Sequence, residues 1–111
     1  MWEKNRQGAV DVVTGSQSLT KDSVDALRRT FDECTETGQP RLVLDCSQVP
    51  LMDSAGLELL LDVRETCRRR GGHFHLAALN PLCNDILQAT GIAGLFEIHR
   101  DSVSAAGSFA Q

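Results

Sequence analysis

The chain has no tyrosine, and its other aromatic residues are few: one Trp and four Phe in 111 residues. Stacking platforms for single-stranded nucleic acid or for sugars are built from such rings, so neither ligand is expected. Basic residues are also in short supply, 11 Lys and Arg against 15 Asp and Glu, which leaves a formal net charge of −4. A chain of this balance does not neutralise phosphates, and no nucleic-acid partner is expected. None of the four cysteines, Cys34, Cys46, Cys67 and Cys83, stands in a C-x-x-C pair. Neither a zinc finger nor a thioredoxin-like site is suggested. Three of them lie within apolar patterns, as expected of reduced, buried thiols in a cytoplasmic protein. The opening segment Met1 to Gln7 lacks the apolar core of a signal peptide. No apolar run approaches the ~20 residues needed to cross a bilayer, so direct membrane contact is not expected.

The residues present fit one small globular domain over 1–111, with a core over about 9–99 and a tail that frays over about 107–111. Hydrophobic residues make up 41% and charged residues 23%, which argues against disorder. The length leaves no room for a second independent core.

Along the chain, Ala9 to Thr14 is short, β-branched and ended by Gly15, which predicts a strand. A weaker strand near Trp2 to Arg6 would complete a hairpin. Thr20 or Asp22 offers an N-cap, after which Val24, Leu27, Phe31 and Cys34 mark one face of a helix stopped by Gly38 and Pro40. Leu42-Val43-Leu44 fits a central strand buried on both faces. A second helix runs through Leu57, Leu60, Leu61 and Arg64 to the cations Arg68-Arg69-Arg70, with Gly71-Gly72 as its turn. His73 to Leu79 alternates like a strand, and Asn80-Pro81 opens a third helix that ends at Gly91. Leu95 to Ile98 reads as a last strand. Asp101-Ser102 caps a short terminal helix. Strands alternating with helices imply an α/β fold: a mixed, mostly parallel sheet of four to five strands with about four helices.

One segment stands out chemically. Val49 to Leu57 leads from the central strand directly into the second helix. Open α/β sheets place their sites there, beyond the carboxyl ends of the strands. Ser54 falls at the helix N-terminus, where free N–H groups and the positive end of the dipole would host a phosphate. The plainer reading is that Asp53 or Ser54 is only an N-cap. A nucleophilic Ser54 would need a base from His73, His75 or His99. His73 and His75 face the same way and could bind a metal, but no third ligand is apparent, so no metal and no cofactor are expected. The sequence places both histidines on the outer face of an edge strand, and no catalytic residue is expected.

Leu42-Val43-Leu44-Asp45 followed by Met52-Asp53-Ser54-Ala55-Gly56-Leu57 resembles the STAS domain of bacterial anti-sigma factor antagonists. In that family D-S-[ST]-G-L opens the helix after a strand. The likeness extends through Arg70-Gly71-Gly72, His73 to Leu79 and Asn80-Pro81 to Thr90-Gly91-Ile92-Ala93-Gly94-Leu95-Phe96, over about residues 9–99. The resemblance implies a non-enzymatic binding module that sequesters an anti-sigma factor and so releases a sigma factor in transcription. That partner would be a serine kinase of the histidine-kinase-like ATPase fold. It also implies Ser54 as phosphoacceptor, a serine phosphatase that restores binding, and Asp53, Ala55, Gly56 and Leu57 as the switch loop that meets the partner. The family pattern G-x-[LI]-D is met here by Gly15-Ser16-Gln17-Ser18-Leu19-Thr20, which has no acid. A different implication of the same likeness is a scaffold subunit of a lipid-transport ATP-binding-cassette complex or signalling complex, with no phosphorylation switch.

Overall fold

The computed structural model describes residues 1–110. Its centre is β3, Arg41–Asp45, whose Leu42, Val43 and Leu44 are all fully buried. A strand enclosed on both faces can be apolar throughout, because no side chain has to meet water. On one side β3 pairs in parallel with β2 (Val10–Gly15), and β2 pairs antiparallel with β1 (Trp2–Gln7). On the other side it pairs in parallel with β4 (His73–Ala77), which carries β5 (Ile98–His99) at the edge. The five strands therefore lie in the order β1-β2-β3-β4-β5, the mixed and mostly parallel sheet expected.

Helices α1 (Val24–Thr35), α2 (Ser54–Arg69) and α3 (Pro81–Ala89) cover one face. Leu27, Phe31 and Cys34 of α1, Leu59, Leu60, Val63 and Cys67 of α2, and Leu87 of α3 meet Leu42, Leu44, Phe74 and Leu76 of the sheet in one cluster. Phe31 and Phe74 meet edge to face with centroids 5.3 Å apart, a favoured geometry for aromatic pairs. The opposite face is covered more lightly by α4, Ser102–Gly107, whose Ala105 packs on Val10, Val12, Val43 and Ala77.

Several local expectations shift. The core reaches beyond residues 9–99, since Trp2 and Ala105 are both buried. Trp2 lies across Gly15, where an added Cβ would come within 2.3 Å of the indole. Ser23, not Thr20 or Asp22, stands at the N-cap of α1. The fourth strand ends at Ala77, two residues early, because Ala78 adopts φ 59° and turns the chain toward Asn80. Leu95 is not in a strand: Ile92–Leu95 forms a 3₁₀ turn after Gly91, whose φ of 77° suits glycine. The last strand is therefore only Ile98–His99. Within the tail expected to fray, Ser108–Ala110 forms a 3₁₀ turn in which Phe109 stacks on His75 with ring centroids 4.5 Å apart. Gln111, included in the expected frayed tail, lies outside the described residues.

The four thiols are unpaired and buried. Burial pushes Cys34 up to about 11 and Cys67 up to about 12, and it raises Cys46 and Cys83 as well.

Leu60 is fully buried, whereas Leu82 on the outside of α3 is 52% exposed. Leu60→Ala is expected to cost about 2–5 kcal/mol through lost burial and the cavity left behind. Leu82→Ala should stay within about 0.5 kcal/mol of the parent. Urea denaturation of the two variants measures the difference.

Candidate functional site

The carboxyl ends of β2, β3 and β4 lead into three loops that are stitched together by backbone and side-chain hydrogen bonds. Leu19 forms an isolated parallel bridge with Met52. The Leu19 N–H donates to the Leu51 carbonyl at 2.9 Å, and the Asp53 N–H donates to the Leu19 carbonyl at 2.9 Å. This close approach explains Gly56. A Cβ there would stand 2.3 Å from the Leu19 carbonyl oxygen, so the first loop can rest on the helix only where a side chain is missing.

Asp53 is the N-cap of α2, with extended backbone and a side chain that accepts from Gly56. Its Oδ1 accepts from the Gly56 N–H at 3.0 Å, and its Oδ2 accepts from the Lys21 N–H at 3.0 Å. One carboxylate thus satisfies a helix-terminal donor and pins the loop after β2. The donors from Gly56 and then Lys21 hold the Asp53 carboxyl below its ordinary value. Asn80 repeats the device one helix further on. Its Oδ1 accepts from the Cys83 N–H at 2.7 Å, capping α3, while its Nδ2 donates to the carbonyls of Val49 and Pro50 at 3.2 and 3.0 Å.

The alternatives for this segment are now separated. The cap is Asp53, and Ser54 is the first residue of α2 and exposed to solvent. Ala55 is half-buried beside it. Gly56 and Leu57 are buried, the first against Leu19 and the second in the core. Both therefore shape the loop from beneath. The exposed residues at this end of the sheet include Ser54, Leu51 and Leu82, with the two leucines 41% and 52% exposed. The parts played by the Lys21 N–H and the Asn80 amide were not readable from the sequence, because both depend on contacts about thirty residues away.

The Arg68-Arg69-Arg70 run is partly engaged, since Arg68 and Arg69 both pair with Glu65 at 3.4 Å. The histidines depart from expectation. β4 lies between β3 and β5 and is not an edge strand. His73 is exposed, but His75 is buried beneath Phe109. Burial lowers the His75 pKa, the neighbouring Glu97 carboxylate opposing that shift. None of the three is brought to Ser54: His73 and His75 lie on β4 and His99 on β5, on the sheet face opposite α2.

Comparison with known proteins follows this geometry. A family model described as the STAS domain matches residues 1–105. A relative from Paenibacillus polymyxa, named an anti-sigma F factor antagonist, is 26% identical over 104 residues, which span 93% of this chain and 89% of that one. Among solved structures, an anti-sigma-factor antagonist (STAS) domain protein from Planctomyces limnophilus superposes with a TM-score of 0.90 at 23% identity, covering 99% of this chain and 98% of the other. The Bacillus cell fate determinant SpoIIAA, solved in its phosphorylated form, superposes with a TM-score of 0.74 at 15% identity, covering 98% and 99%.

Two outcomes test the loop architecture. Gly56→Ala should destabilise the protein, because the displaced atom is backbone and cannot swing away; thermal unfolding reads this as a lower Tm. Asp53→Ala should destabilise at neutral pH, and the difference should narrow in strong acid. A carboxyl whose folded pKa is depressed contributes its stability above the unfolded value and loses it as pH falls through the folded one. Urea midpoints of parent and variant, compared at pH 7 and near pH 2, measure it.

Proposed function

The chain belongs to the STAS domain family, and from that premise we propose that it is an anti-sigma factor antagonist: a binding module whose grip on an anti-sigma factor is switched by phosphorylation of Ser54. The observation that carries this reading is the division of labour at the head of α2. Asp53 does the capping, so Ser54 is not needed as a cap and stands exposed on the first turn. A hydroxyl in that position is open to a kinase. A phosphate on it would gain from the helix dipole while adding about −1.5 to −2 charge beside Asp53.

The partner surface is the rim around Ser54. Leu51 and Leu82 supply apolar area at the same end of the sheet. An anti-sigma factor that seats on these leucines covers Ser54, so a phosphate there opposes docking by charge and by the cost of its desolvation. The partner itself would be the serine kinase of the histidine-kinase-like ATPase fold, with a serine phosphatase resetting the module. The named relatives support this reading, as does the solved phosphorylated form of the Bacillus protein. The module performs no chemistry of its own in this scheme, acts in the cytoplasm and reaches transcription without touching DNA.

Ser54→Ala should retain binding to the anti-sigma factor encoded in the same genome, and Ser54→Asp should weaken it on the order of tenfold or more, about 1.4 kcal/mol. Calorimetric titration measures both, and mass spectrometry of the protein from its own cells checks for phosphate on Ser54. Equal binding by the two variants would favour a permanently docked scaffold subunit instead.

A further inference from the structure

We propose that His75, Glu97 and His99 bind a divalent transition-metal ion, with zinc the reference case, on the sheet face opposite α2. The pairing of β4 with β5 sets His75 beside Glu97, one step before the Leu76–Ile98 and Ala77–His99 pairs. Glu97 and His99 are two residues apart and project to the same side as His75. The His75 Nε2 stands 3.2 Å from Glu97 Oε2, and the His99 Nε2 stands 3.8 Å from Glu97 Oε1. One ligand atom from each residue lies within 4.8 Å of the others. Adjacent ligands of a tetrahedral zinc ion, with bonds of ~2.0–2.1 Å, are about 3.3 Å apart. The three side chains are already near that spacing.

The contacts around the cluster suit an inward-facing His75 Nε2. The Ser108 hydroxyl donates to the Ala105 carbonyl at 2.6 Å, and its oxygen lies 3.0 Å from His75 Nδ1. When His75 carries its proton on Nδ1, Ser108 accepts it and the Nε2 lone pair faces the Glu97 carboxylate. The His99 Nε2 is buried and, among the described residues, has no hydrogen-bond partner. A single cation at the centre satisfies all three atoms, and the Ser108 contact is the outer support that metal-bound histidines ordinarily have.

Charge and access are compatible with an ion. A groove of about 310 Å³, lined in part by His73, His75, Glu97 and Phe109, opens beside the cluster. The Glu97 side chain is 67% exposed and free to close on an ion. Of the nearby cations, Arg64 donates to the Leu95 carbonyl at 2.8 Å and Arg68 pairs with Glu65, while Arg41 lines the far side of the groove. Two imidazoles and one carboxylate suit zinc and its neighbours better than calcium or magnesium, and they leave a fourth position to water. His73, the histidine that sequence spacing pairs with His75, is outside the set.

The test titrates the full chain with zinc by calorimetry and with cobalt by visible absorption. The parent should bind one ion per chain, and saturating zinc should raise its Tm. Glu97→Gln and His99→Ala should each weaken binding tenfold or more and abolish the Tm rise, while His73→Ala should behave as the parent. Glu97 is exposed, so its variant keeps the fold if a metal-free melt matches the parent. No binding by the parent, undiminished binding by Glu97→Gln and His99→Ala, equal loss in His73→Ala, or a cobalt–thiolate band from the buried cysteines would each overturn the assignment.

Discussion

The Asp53 carboxylate is the constraint on which the candidate site depends. Its two oxygens reach the Gly56 and Lys21 N–H groups, which belong to different elements. Without it the loop after β2 would be held on α2 by the backbone contacts and the buried side chain of Leu19. The carboxylate therefore serves as helix cap and loop anchor together, and its ionised form is what both bonds require. Ser54 takes its position from that arrangement, which rests on a buried backbone contact at Gly56 and a half-buried acid.

Asn80 shows the same economy. A residue that caps a helix with its oxygen has an amide nitrogen to spare, and here the nitrogen holds Val49 and Pro50. The loop between β3 and α2 is thus secured at both ends by caps that belong to successive helices. Such a frame keeps Ser54 in a fixed place while leaving its side chain in water. This suits the switch proposed for Ser54.

How much of this was legible in the sequence follows from the range of the interactions. Helices and strands with strong period were readable, as in Leu27-Phe31-Cys34 and Leu42-Val43-Leu44, because burial of one face or both writes itself into the spacing. The Asn80-Pro81 start was readable because capping is local. Leu95 was misread as strand since its apolar neighbours carry no period, and the chain there is governed by Gly91 in the left-handed region. The head of α2 was half legible: D-S-x-G marked the place, but the second bond of Asp53, to the Lys21 N–H thirty-two residues away, leaves no local signal. His75 was placed on an outer face because nothing local announces that Phe109 closes over it.

The burial of the four cysteines has a consequence for what the molecule can sense. A thiol at about 11 or 12 leaves on the order of one part in ten thousand or less as thiolate at neutral pH. Oxidants and disulfides attack the thiolate, and here they would also need the core to open first. Oxidative stress would then leave the four thiols unmarked unless the chain unfolds. The switch proposed at the head of α2 would therefore work without competition from thiol oxidation.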